Sequence, residues 1–205
     1  MTDPGGSGQD AGQQGAAAHG HLRVELVGPH LRVTGHLALG RYPRLADLVN
    51  HNRGFLIVRD ACLLDGSGTP TGLTLPELVV NRDEVTFIGH GAEAVAARPH
   101  PAGATSRFVI FAPGHTISGA IHRYRDISLV NFVEAHDPRF VEVTEAAARA
   151  QAEPGMVMQY ACMLVNRTQI NAIAELPEGA PDPALDLADG GGVHGQPGPA
   201  ARARA

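Results

Sequence analysis

Tryptophan and lysine are both missing from this chain of 205 residues, and aromatic residues of all kinds make up only 4% of it. Without large rings, a core must be assembled from Val, Leu, Ile and Ala. All 16 basic residues are arginine, which reads as the codon bias of a GC-rich bacterial genome and not as a device for binding. The formal charge of −5 excludes a broad nucleic-acid or membrane-surface patch, because such a patch needs a basic excess. Apolar runs are strand-sized, well short of the roughly 20 residues that a membrane-spanning helix requires. The first residues, MTDPGGSGQDAGQQG, are neither basic nor apolar, so no secretory signal is expected. Cys62 and Cys162 are too few for a disulfide framework. Reduced thiols and a cytoplasmic location are the expectation.

What the chain does contain is glycine and proline, 25 and 15 of them, gathered at the ends and near the middle. Residues 1–20 have almost nothing to bury and read as a disordered tail. Residues 90–106 read as a linker, and 177–205 as a second Pro/Gly/Ala tail. Two blocks remain, 22–89 and 107–175, and they align with each other. At a spacing of 84, Pro29 meets Pro113, Gly35 meets Gly119, Arg41 meets Arg125 and Val49 meets Val133. One inserted residue moves the spacing to 85; His51 then meets His136, Phe55 meets Phe140, and Val80-Asn81-Arg82 meets Val165-Asn166-Arg167. A single small indel across a whole block points to an internal duplication.

Both copies therefore have to satisfy one local fold. LRVELVGPHLRVTGHLAL and RFVIFAPGHTISGAIH each read as strand, Gly/Pro turn, strand. Leu45, Leu48 and Val49 recur at helical spacing, as do Leu129, Phe132 and Val133. A third strand follows each helix, and a pair of short strands flanks each Asn-Arg. The expected fold class is mainly β with minor α: two tandem small β-barrel or roll units, each β-β-α-β-β-β, related by a pseudo-two-fold axis.

RLADLVN, FLIVRDACLL and LVVNRDEVTFI together resemble an uncharacterised bacterial domain family whose members read RLSDLLN, FLxLTDAxV and VLVNRxxIxxV. The second copy departs from that pattern with SLVNFVE and FVEVTEAAA but keeps MLVNRTQINAI. The resemblance implies the fold unit and brings no activity with it.

The repeated Asn-Arg is the first candidate site. Asn81 and Asn166 suit the left-handed conformation of a tight turn. Arg82 and Arg167 are expected beside Asp60 and Glu145, which also correspond between copies. A structural turn with a partly exposed ion pair is one reading; an anchor for a protein partner, a small anionic ligand or a nucleotide is the other. Asn and Arg before the last strand of a small barrel also resemble an Sm-type RNA site, against which stand the acidic charge and the lack of an aromatic for stacking. RYRDISLVN, starting at Arg123, resembles the Arg plus Asp-x-Ser signature of PilZ domains but lacks their upstream arginine pair. The 11 histidines read as solvent-exposed, with no ligand spacing that implies a metal or cofactor. The cysteines do not correspond between copies and read as inert core thiols. No nucleophile stands in a Gly-flanked elbow. The function expected is a non-catalytic interaction, regulatory or scaffold module, binding a protein partner or associating with itself, with an anionic-ligand or nucleotide sensor as the alternative.

Overall fold

The computed structural model describes residues 20–51, 54–91, 104–123, 127–134 and 138–185. Alternating apolar and polar residues produce strands through most of this range. In β2 (Arg32–Ala38), Val33, Gly35 and Leu37 turn inward, and Arg32, Thr34 and His36 separate them. The remaining elements of the first half are β1 (His21–Val27), α1 (Leu45–His51), β3 (Phe55–Leu64), β4 (Pro70–Asn81) and β5 (Phe87–His90). The second half repeats the order with β6 (Ala104–Ala112), β7 (His115–Arg123), α2 (Leu129–Glu134), β8 (Phe140–Ala150), β9 (Val157–Asn166) and β10 (Ala172–Glu175). A one-turn 3-10 helix precedes the last strand of each half, at Arg82–Glu84 and Arg167–Gln169.

All ten strands form one antiparallel sheet in the order β10-β6-β7-β8-β9-β5-β1-β2-β3-β4. Two expectations are corrected by that order. The sheet does not close into a barrel: β10 and β4 end it, each paired on one side only among the described residues. Nor does a closed two-fold axis relate the halves, since it would bring the same strand of each half together. Instead β9, the fourth strand of the second half, pairs with β5, the fifth strand of the first, through Phe87↔Val165, Ile88↔Leu164, Gly89↔Met163 and His90↔Cys162. The contact is head-to-tail.

Each half bends at the same place. Pairing of β2 with β3 shifts between Thr34 and His36, and pairing of β7 with β8 shifts between Ser118 and Ala120. Gly35 and Gly119 lie at those shifts, where a Cβ would stand 2.5 Å from a methyl of Val58 or Val143. Opposite them, Asp60 and Glu145 are the two non-glycine residues with positive φ among the described residues, each at 49°. A bulge with a left-handed residue on one strand and a bare glycine on the next lets the two backbones cross closely.

Two apolar cores lie on the sheet, and they interlock. The core of the first half takes in Phe140 and Leu164 from the second half, and the core of the second takes in Val27 and Phe87 from the first.

The domain boundaries also move. β5 runs to His90 and β6 starts at Ala104, so the expected linker shortens from both ends; residues 92–103 lie outside the described residues. Of the expected tails 1–20 and 177–205, residues 1–19 and 186–205 lie outside them too. Pro177–Leu185, expected to be tail, packs on the second half instead. Ala184 is fully buried, Arg149 donates from Nε to the Ala184 carbonyl at 2.8 Å and from Nη2 to the Leu185 carbonyl at 2.7 Å, and Asp182 accepts from Ser118 and Arg107. Composition hides this segment because alanine and backbone carbonyls, not large apolar side chains, make the contacts.

Candidate interaction surface

The two Asn-Arg pairs occupy matching places and do matching work inside the fold. Asn81 is extended, with φ −65°, and so is Asn166, with φ −71°; neither is left-handed. Each caps its 3-10 turn, with Oδ1 accepting from the Asp83 amide at 3.0 Å or the Thr168 amide at 3.2 Å. The left-handed positions belong to the other candidate pair, Asp60 and Glu145.

Arg82 and Arg167 do not reach those carboxylates. Arg82 Nη1 donates to the Val49 carbonyl at 3.2 Å, and Arg167 Nη1 donates to the Phe132 carbonyl while its guanidinium lies 4.7 Å from the centroid of the Phe132 ring. Each arginine thus answers the carbonyl end of its own short helix, where positive charge is favoured. Burial, followed by the charge of Arg139, pulls the Arg82 guanidinium below its ordinary range. Asp60 is exposed and stands 3.6 Å from His36 Nδ1; Glu145 is exposed on the outside of its bulge. His136 lies outside the described residues, as do residues 124–126 of the RYRDISLVN segment.

More informative is what surrounds the β9–β5 junction. Asn166 is fully buried there: its backbone amide donates to the Thr86 carbonyl at 2.9 Å and its side-chain amide to the Val85 carbonyl at 2.9 Å. Asn50, on α1, receives the Phe140 amide at 2.7 Å and returns a bond to the Phe140 carbonyl at 3.1 Å, closing the end of β8. Arg139 pairs with Asp83 at 2.7 Å, and Tyr160 reaches across to Glu25 at 2.7 Å over the bare face of Gly89. Glu25 is held in turn by Arg32 at 2.6 Å. No local pattern marks these residues as inter-unit contacts, because each partner is distant in sequence and the β9–β5 pairing leaves no signal in either strand alone.

The outer face of β8 and β9 is therefore covered, and Phe140 and Leu164 are each only 1% exposed. Their counterparts 85 residues earlier, Phe55 and Val79, are 60% and 57% exposed, with Ile57 beside them at 51%. Ile57 and Val79 are directly opposite across β3 and β4, and Phe55 lies two residues along on the same face. The first half thus ends in an open apolar face at the position where the second half is closed.

Burial, then the charge of Glu142, raises the Cys162 thiol above its ordinary value; burial, then Glu25, does the same to the Tyr160 hydroxyl. In both, burial favours the protonated form. Among the described residues no three His, Cys, Asp or Glu side chains gather at metal-binding range, and no helix is long and apolar enough to cross a membrane. No family model, curated protein or solved structure matches the chain.

Proposed function

We propose that the chain is a duplicated, non-catalytic interaction module whose working surface is the outer face of β3 and β4, built on Phe55, Ile57 and Val79. The observation that carries this reading is the contrast in burial between equivalent faces. Phe140 and Leu164 are closed over by protein in the second half, whereas Phe55 and Val79 at the same positions of the first are open, with Ile57 between them where the second half has Glu142. Large apolar side chains clustered beside an unpaired strand edge mark a binding surface, since isolated solvent exposure of such an edge invites uncontrolled pairing. The arginine-based ligand reading has weaker support, because Arg82 and Arg167 already serve the carbonyl ends of α1 and α2. An RNA site at the same turns is disfavoured on the same ground and by the acidic charge.

The test is a comparison of the full chain with its Ile57→Glu and Val79→Glu variants. Both positions are more than half exposed, so melting temperature should stay within a few degrees. Association with a binding partner, another protein or another copy, should drop by about tenfold or more. Retention of the same partners by both variants at unchanged affinity would remove β3–β4 as the working surface.

A further inference from the structure

We infer that the partner of this surface is a second copy of the chain, joined head-to-tail: β4 of one molecule pairs with β10 of the next in the register that β9 and β5 use within a molecule. The inference rests on the interaction-module reading above and names its partner. A related interface already exists once inside each chain and supplies the register, although its polar pairs Tyr160–Glu25 and Arg139–Asp83 fall on Leu75 and Val109 and on Gly54 and Thr168 at the open ends. Displacing β9 and β5 by the repeat spacing of 85 gives β4 and β10, the two strands that end the sheet. The junction pairs convert to Val80↔Ala172, Val79↔Ile173, Leu78↔Ala174 and Glu77↔Glu175. Asn166 sends its amide to Thr86 across the junction. By strand alternation, Asn81 and Val79 turn their amides toward the open edge.

Exposed side chains agree with this placement at both ends. Seven large hydrophobic residues are exposed among those described: Phe55, Ile57, Leu73, Val79, Phe111, Val130 and Leu185. Five of the seven fall where the internal junction buries or lines its counterpart. Phe55, Ile57 and Val79 are the open ends of β3 and β4. Phe111, 41% exposed, stands for Val27, which is 2% exposed; Val130, 63% exposed, stands for Ala46, which lines the cleft between α1 and β8. One cross-strand pair keeps its aromatic ring on the opposite strand: Val27↔Phe87 at the junction becomes Phe111↔Ala172 at the open end. A smaller aliphatic residue sits opposite the ring in both. α2 has no fully buried residue, whereas Leu45, Leu48 and Val49 of α1 are buried under the cover of β8. The open end of the second half therefore presents α2, Phe111 and the β10 edge, and the open end of the first presents β3 and the β4 edge. The two ends are unlike and complementary, as a heterologous interface requires.

Opposed to the pairing are the loss of those two polar pairs and the placing of Glu77 across from Glu175, in the positions of Cys162 and His90. Like charges at that register weaken the intermolecular junction relative to the internal one and make it reversible.

The experiment uses the full chain and two single variants, Val79→Glu at one end and Ala172→Glu at the other. Both residues are exposed in the single molecule, and their junction counterparts Leu164 and Phe87 are buried, so each carboxylate would enter the interface unpaired. In sedimentation velocity the wild-type chain should assemble with rising concentration, and each variant alone should stay monomeric. An equimolar mixture of the two variants should form a 1:1 dimer and nothing larger, because each retains the end that the other has lost. A wild-type chain that is monomeric at every concentration overturns the proposal, as does a variant that still self-associates or a mixture that stays monomeric. Phe55→Glu and Phe111→Glu form a second pair if either first variant fails to give the wild-type melt; their junction counterparts Phe140 and Val27 are buried. Loss of the second-copy proposal leaves the interaction reading to its own test, since a different protein bound through Ile57 and Val79 would still be released by their substitution.

Discussion

Asn81 and Asn166 carry the same local assignment and different loads. Both cap a 3-10 turn through Oδ1, but Asn81 is exposed, whereas Asn166 is fully buried and also bonds to the Val85 carbonyl, the Thr86 carbonyl and Arg139. Asn81→Ala should therefore cost about 1 kcal/mol, the ordinary value of a lost cap. Asn166→Ala should cost about 2–3 kcal/mol, because the Val85 carbonyl and the buried turn lose their partners together. Urea melts of dilute protein measure the difference, and equal losses would mean that the junction contributes nothing at this residue. The position of both asparagines was legible from the repeat, but their conformation was not. Asparagine is a frequent occupant of left-handed turns, and here the left-handed residues are Asp60, which shares that tolerance in the middle of an apolar strand, and Glu145, which does not. The partners of the arginines are hidden for a related reason: a sequence displays its carboxylates, but not the carbonyl ends of its helices, which are what Arg82 and Arg167 satisfy.

At the scale of the element, the order of strands and helices could be read directly, since alternation in VELV or FVIF and the Leu45, Leu48, Val49 spacing are local. Strand neighbours could not, because register shifts and the β9–β5 pairing depend on contacts far apart in sequence. Gly35 and Gly119 are the exception: identical glycines in two apolar strands mark a close approach. A methyl at Gly35 would lie 2.5 Å from Val58 Cγ1 and 2.7 Å from the Arg59 carbonyl oxygen, and one at Gly119 would lie 2.9 Å from the Thr144 carbonyl oxygen. Neither backbone can retreat without opening the bend. Gly35→Ala and Gly119→Ala should each destabilise the chain by about 2–3 kcal/mol. Asp60→Gly should do the opposite, gaining about 0.5–1 kcal/mol by relieving the left-handed strain that an aspartate bears at φ 49°. Thermal melts of the three variants test the bulge as a unit. If Gly35→Ala melted with wild type, the close crossing of β2 and β3 would not be a constraint on the fold.

At the scale of the molecule, the order in which strands join determines what the two ends can do. A two-fold arrangement would have buried like against like and left a closed dimer of units; the head-to-tail arrangement leaves β4 and β10 open at opposite ends of the sheet. The second half is closed over its β6–β7–β8 face by a device that the first half lacks among the described residues: the segment from Pro177 to Leu185. Arg149 is 4% exposed and directs two donors at the carbonyls of Ala184 and Leu185, so its charge is buried against backbone oxygens supplied by this segment. Asp182 fastens the same segment to β6 and β7 through Arg107 at 2.6 Å and through the Ser118 hydroxyl. A chain ending at Leu176 loses all of these partners together, whereas one ending at Leu185 keeps them. The shorter chain should be less stable than the longer by roughly 2–4 kcal/mol, from two charge-assisted hydrogen bonds and the Asp182 pair, discounted for the water that replaces them. Asp182→Ala in the longer chain should lose part of that amount, about 1–2 kcal/mol, and leave Arg149 engaged. The order of melting temperatures, 1–185 above its Asp182→Ala variant and that variant above 1–176, identifies the segment as a clasp on the second half. Coincident melts for the two truncated chains would show that the buried Arg149 draws no stability from it.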